Sequence, residues 1–165
     1  PGGDAIPVTI GDFVDVDAAG EFTLVFVAFN TFFVLLSPGE QARCFANVVH
    51  HLAPRGRFVI EAFVPDPSRF ARGHHVEISD LGMDGVRANV SVHDAAAQRV
   101  ASLVMWVAEA DRVRTWPVHI RYSYPDELDA MAAGAGLMLE QRWSSWKHDP
   151  FTADSGRHVS VYARA

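Results

Sequence analysis

The hydrophobic positions change rhythm several times along the chain. Residues 6–10 (IPVTI) form a short β-branched run that ends at Gly11-Asp12, which predicts a strand. Asp15, Asp17, Ala18 and Gly20 then make a polar turn. Residues 22–29 (FTLVFVAF) are apolar at nearly every position. A strand without polar alternation is expected to be buried on both faces, as in a parallel sheet covered by helices.

Ser37-Pro38-Gly39-Glu40 carries the signals of a helix start, with Ser at the N-cap, Pro at the first helical position and Glu two further on. Ala42, Phe45, Val48, Val49 and Leu52 follow at helical spacing, which places Gln41, Arg43 and Asn47 on the opposite, polar face. Pro54 is the expected stop. Residues 57–64 (RFVIEAFV) predict a second buried strand. Strand, helix and strand with short joints read as a crossover unit.

After Pro65-Asp66-Pro67 the period becomes two. Residues 86–92 (VRANVSV), 99–108 (RVASLVMWVA) and 118–124 (VHIRYSY) alternate, with turns expected at 94–98 and 109–115. Such a pattern predicts an antiparallel meander with one wet face, spanning about residues 75–124. Ser123-x-x-Asp126 predicts a helix start, Gly134 and Gly136 its end, and residues 137–143 and 158–163 a final strand pair. The whole reads as one α/β domain over residues 1–165.

Composition narrows the partners. With 14 basic against 20 acidic residues, the net charge of −6 argues against nucleic acid, which demands a basic stripe. The basic residues are scattered, and no apolar run is long enough to span a bilayer, so no membrane partner is expected. Cys44 is the only cysteine, which excludes an intramolecular disulfide and fits a cytoplasmic setting. His50-His51 and His74-His75 are adjacent pairs rather than the spaced pairs of a helical zinc site, so no metal is expected. No nucleophile elbow or phosphate loop occurs.

Four stretches, in this order, resemble the later part of a class I S-adenosylmethionine-dependent methyltransferase. They are VTIGDF (residues 8–13), EFTLVFVAFNTFFVL (21–35), LAPRGRFVIEAF (52–63) and YSYPDELDAMAAGAGL (122–137). The likeness is to small-molecule methyltransferases with an antiparallel insert, such as the sugar-amine N-methyltransferases. It implies a partial Rossmann-like methyltransferase fold: parallel strands with helices, the meander as insert, and a closing antiparallel strand pair. It also implies S-adenosyl-L-methionine as cofactor and methyl transfer to N or O of a small-molecule acceptor.

Two departures stand out. Arg55 replaces a glycine of the family's Pro-Gly-Gly turn. The family's glycine-rich loop and the acidic residue after its second strand are not in this sequence, and Pro1 rather than Met heads it. These residues are therefore expected to belong to a longer protein, and by themselves to bind cofactor poorly. Without the first two family strands, the run at 22–29 would be an exposed apolar edge. The alternatives are a homodimer covering that edge, or a shift of the 6–10 strand to pair with it.

By the resemblance, Asp12 would accept a hydrogen bond from the adenine amino group, with Phe13 beside it; the competing reading of Asp12 is a turn residue. Asn30 and Thr31 would sit at the carboxyl end of a central parallel strand, where open α/β sheets bind ligands. Phe32 and Phe33 are expected in the core. Tyr122 and Tyr124 are candidates to line the acceptor pocket and handle a proton. His119, the third candidate, is offset by one residue and should face the other way. Trp143, Trp146, His148 and Phe151 could form a lid or a dimer contact. The rival function is a non-catalytic α+β binding or dimerisation module; a third is a ligand-binding meander domain with the tyrosines in its pocket.

Overall fold

The computed structural model describes residues 6–70, 72–82, 85–108 and 112–165. Eight described strands build two four-stranded sheets. The first has the order β1-β2-β8-β7, from β1 (Phe22–Val27), β2 (Leu52–Phe63), β8 (Arg157–Arg164) and β7 (Leu137–Trp143). β1 and β2 are parallel, joined through α1 (Pro38–His51), while β8 runs antiparallel to both of its neighbours. The closing strand pair thus completes the sheet of the crossover unit. The second sheet is the meander β3 (His74–Gly82), β4 (Gly85–Asp94), β5 (Arg99–Ala108) and β6 (Arg112–Arg121). α2 (Pro125–Gly134) leads back to the first sheet.

α1 starts where its local chemistry dictates. Ser37 Oγ accepts from the Glu40 backbone N–H at 3.1 Å, satisfying one of the open donors of the first turn. Cys44, Phe45 and Val48 then pack on Phe58, Ile60 and Ala62, the alternate residues of one face of β2. The rings of Phe45, Phe58 and Tyr162 meet edge to face, at 5.6 and 5.7 Å from Phe45. α2 adds Leu128 and Ala132 to the same core. Phe32 and Phe33 are fully buried in it, as expected. Gly56 is held to glycine by proximity: a Cβ there would lie 2.8 Å from the Phe22 carbonyl oxygen.

Several expectations are corrected. Residues 6–10 form no strand and pair with nothing described; Ile6, Val8 and Ile10 are exposed, because β-branched residues extend stably only against a sheet edge. β1 is not buried on both faces; it is the exposed apolar edge expected of a chain without the first two family strands, with Leu24 and Phe26 open. The two helices lie on one face of the first sheet; the other carries Val59, Val159, Val161 and Trp143. α1 ends at His51, three residues before Pro54, because Leu52 is already extended and pairs with Phe22. β3 was not anticipated, and residues 112–115, read as turn, belong to β6. α2 is capped at Tyr124, whose N–H donates to Glu127 Oε2 at 2.7 Å, rather than at Ser123.

Gln41 is the largest correction. Expected on the polar face, it is fully buried at the junction of the two sheets. Its Nε2 donates to the carbonyls of Leu35 and Arg121, at 3.2 and 2.8 Å. Its Oε1 accepts from Arg121 Nη1 at 2.8 Å and from Ser123 Oγ at 2.7 Å. Arg121 also donates to Gln98, whose Nε2 donates to Glu127 at 2.9 Å. Burial lowers the Arg121 pKa from its usual value. Every polar group here has a partner, so the network fixes the meander against α1 and α2. No described helix is long and apolar enough to cross a membrane.

Candidate functional site

Two left-handed residues end β1. Phe29 has φ 56° and Asn30 φ 64°. Asn tolerates that region; a Phe there is strained, and such strain gathers at ligand sites. Two anchors on β2 hold the turn. Glu61 Oε2 accepts from Phe29 N–H at 3.1 Å, and its carbonyl accepts from Asn30 N–H at 3.3 Å. Asn30 Oδ1 in turn accepts from Phe63 N–H at 2.7 Å. The carboxyl ends of the two parallel strands are thereby locked together, at the end of the sheet where α/β proteins bind ligands. Thr31 opens the short 3-10 turn that follows.

Asp12 Oδ1 accepts from Val14 N–H at 3.0 Å, so the turn reading holds for one carboxylate oxygen. Asp12 also borders a recess with Phe13, Val34 and Leu35. Phe13 and Thr31 meet at an apolar pocket of about 210 Å³ between β1 and α1, with Phe22, Phe32 and Val48. A purine with an exocyclic amine needs an acceptor beside an apolar wall, and Asp12 with Phe13, Val34 and Leu35 has that chemistry. Asn30 fits a ligand less directly, since its amide oxygen is committed to Phe63.

A second cavity of about 210 Å³ lies between the two sheets. Phe63 lines it, so it adjoins the Asn30 turn. One wall is the segment after β2, with Asp66, Arg69 and Phe70; the other is the inner face of the meander. That inner face carries the polar side chains of the meander together with Val100 and Ile120. Register places His75, Ser91 and Ser102 in one row across three strands, and Glu77 opposite Asn89 beside it. Ser91 Oγ and Ser102 Oγ are 2.8 Å apart, and Arg69 Nη2 reaches Glu77 at 3.4 Å.

Tyr122 is buried at the base of this cavity. Its hydroxyl pairs with His93 Nε2 at 2.8 Å, and the His93 ring stacks on Phe70 at 4.5 Å. Burial, with a contribution from Tyr124, pushes the Tyr122 hydroxyl above its usual pKa. Tyr124 touches Tyr122 edge to face but is not among the cavity residues. His119 lies on the opposite face of β6, exposed beside Leu36 and Arg99. The geometry therefore gathers Tyr122 with His93 and separates both from His119. Trp143 stacks on His148 at 3.9 Å, and Phe151 sits under the Arg142 guanidinium. Trp143, Trp146, His148 and Phe151 line neither cavity, although Gly156, at the end of the same loop, borders the second and accepts from Val64 N–H at 3.0 Å. His93, Phe70, His75 and the serines escaped the sequence reading. For Ser91 and His93 the signal was the i, i+2 spacing of polar residues in β4; Phe70, His75 and Ser102 carried none.

Among the described residues no cluster of three or more His, Cys, Asp or Glu side chains could hold a metal. No family model and no curated protein matches the sequence. Solved structures do. The CcbJ methyltransferase from Streptomyces caelestis superposes with TM-score 0.90 at 36% identity, over 94% of this chain and 62% of that one. An S-adenosylmethionine-dependent methyltransferase from Clostridium acetobutylicum gives 0.82 at 10% identity, over 95% and 64%. DesVI from Streptomyces venezuelae gives 0.66 at 23%, over 94% and 64%.

The fold is that of the S-adenosylmethionine-dependent methyltransferases. This chain resembles the small-molecule enzymes among them and spans somewhat under two thirds of the length of these three.

Proposed function

We propose that the protein transfers a methyl group from S-adenosyl-L-methionine to a small molecule held between its two sheets. The observation that carries this reading is the shared Phe63. Its backbone anchors the strand-end turn at Asn30, while the same residue lines the polar cavity. A donor site and an acceptor site thus adjoin at the end of the sheet that binds ligands.

S-adenosylmethionine, when bound, supplies the methyl group as the electrophile. Asp12 and Phe13 would receive its adenine, and Asn30 and Thr31 its methionine part. The meander would orient the acceptor through its inner polar row, and proximity and alignment then carry much of the rate. The raised Tyr122 pKa keeps its hydroxyl protonated near neutrality. In the His93 tautomer with an unprotonated Nε2, Tyr122 donates to that nitrogen, which leaves its oxygen lone pairs to accept an N–H or O–H of the acceptor. The acceptor's proton then passes to the Tyr122 oxygen as the Tyr122 proton passes to His93.

Nitrogen is favoured over oxygen as the target. Among the similar structures are an amino pentose methyltransferase, CalS10, and a sugar N-methyltransferase, KedS8. Calorimetry with S-adenosylmethionine and S-adenosylhomocysteine on the full-length protein tests the reading. Saturable binding of both is expected, and no binding of either overturns it.

A further inference from the structure

Residues 11–18 carry Asp12 and Phe13 but belong to no helix or strand. Two local bonds shape their turn: Val14 N–H donates to Asp12 Oδ1 at 3.0 Å, and Asp15 N–H to the Asp12 carbonyl at 3.1 Å. Val14 is buried in the core. Past it, α1 grips the segment. Asn47 Nδ2 donates to the Val16 carbonyl at 3.1 Å, and Ala18 N–H donates to His51 Nε2 at 3.2 Å. Among the described residues, these are the only hydrogen bonds that reach residues 11–18 from the rest of the chain. Val16 in turn lies close over Gly11, where a Cβ would come within 3.0 Å of Val16 Cγ2. The placement of Val16 is therefore felt at the residue before Asp12. The buried His51 ring is set for its bond. Its Nδ1 is 2.9 Å from the Asn47 carbonyl, which only accepts, so Nδ1 carries the proton and Nε2 is left to accept from Ala18. Asp17 stands 3.7 Å from Nε2, but its side chain is 98% exposed and screened by water.

We propose that Asn47 and His51 are positioning residues for adenine recognition. They hold residues 12–18 on α1, so that the Asp12 carboxylate stays where it can accept from the exocyclic amine. The inference rests on the reading of Asp12 and Phe13 as the adenine site. Neither Asn47 nor His51 lines the recess at Asp12, so both act through the segment between. The physical reason is pre-organisation. A carboxylate on an untethered loop must be ordered when the ligand arrives, and that entropy cost erodes its preference for one base over another. With the loop latched to a helix, the ordering is complete on folding, and the full hydrogen bond is available to discriminate.

Calorimetry on the full-length protein with S-adenosylhomocysteine and S-inosylhomocysteine tests this. The inosine analogue carries a carbonyl where adenine carries its amine, so a fixed carboxylate rejects it. Wild type is expected to prefer the adenine ligand by about tenfold or more. His51→Ala and Asn47→Asp are each expected to weaken S-adenosylhomocysteine roughly tenfold and to leave S-inosylhomocysteine within about twofold, so that the preference collapses. Asn47→Asp is nearly isosteric and half-buried, and it carries the test if His51→Ala does not fold. His51→Gln puts an amide oxygen close to where Nε2 was and should restore most of the preference. Asp17→Asn should bind both ligands like wild type. A wild-type preference retained in Asn47→Asp overturns the proposal. So does an equal loss of both ligands in that variant, which a merely loosened fold would produce. A loss of preference in Asp17→Asn would make the contact a charged pair and equally overturn it. If wild type binds both ligands alike, the adenine reading of Asp12 fails and takes the inference with it.

Discussion

The Tyr122 hydroxyl lies 2.8 Å from His93 Nε2, with Tyr122 at the base of the cavity and His93 stacked on Phe70. Tyr122→Phe keeps the ring and its packing but removes the oxygen. In the full-length protein it is expected to lower kcat on the acceptor roughly 100-fold, with little change in KM or thermal stability. His93→Phe keeps the stack and removes Nε2. It should lower kcat with little change in KM, and a kcat equal to wild type would remove His93 from the proton path.

Asn30 joins two functions in one residue, a left-handed backbone and an amide oxygen 2.7 Å from Phe63 N–H. Asn30→Gly keeps the backbone and loses only the hydrogen bond. Asn30→Ala loses both. Urea unfolding is expected to show a cost of about 1 kcal/mol for the glycine variant and about 2 kcal/mol for alanine. Equal costs would mean that the backbone conformation contributes nothing.

Arg121 is buried among Gln41, Ser123 and Gln98. Arg121→Met removes the charge and leaves three acceptors short of donors, and is expected to cost about 3 kcal/mol in urea unfolding. The double variant Arg121→Met/Gln41→Leu should cost less than the sum of the two single changes, since both break the same Arg121–Gln41 bond. Strict additivity of the two changes would contradict the network.

His158 is fully buried, with Nδ1 at 2.8 Å from Ser160 Oγ and no partner for Nε2. Burial, reinforced by the charge of Arg142, lowers its pKa to about 4. A histidine depressed in the folded state favours folding fully above its ordinary value of 6.5. The advantage fades as pH falls, and is gone below about 4. The pH dependence of unfolding free energy, wild type minus His158→Gln, should fall by about 3 kcal/mol across that window. A flat difference would show that His158 titrates normally.

Legibility followed range. The start of α1 was readable because Ser37 Oγ accepts from the Glu40 N–H within one turn. Most of β2 and the Gly134 terminus were equally plain, being matters of local spacing. The run at 6–10 has the same local signal as a strand, yet no described neighbour pairs with it, and backbone groups without a ladder stay solvated. Only the candidates at strand ends, Asn30 above all, could be placed from sequence, because that position is a property of the architecture.

What local chemistry determined, then, was where helices and strands begin and which residues alternate. Tertiary structure decided which face of each element is inside. Gln41 looks like a surface residue until Arg121, 80 positions later, supplies its partners. His93 looks like any strand histidine until Tyr122 is brought to it across 29 positions. The meander shows the same physics on a larger scale. Alternation separates its polar face from its apolar one, but only packing against the segment after β2 turned the polar face toward the cavity and left the apolar one outside.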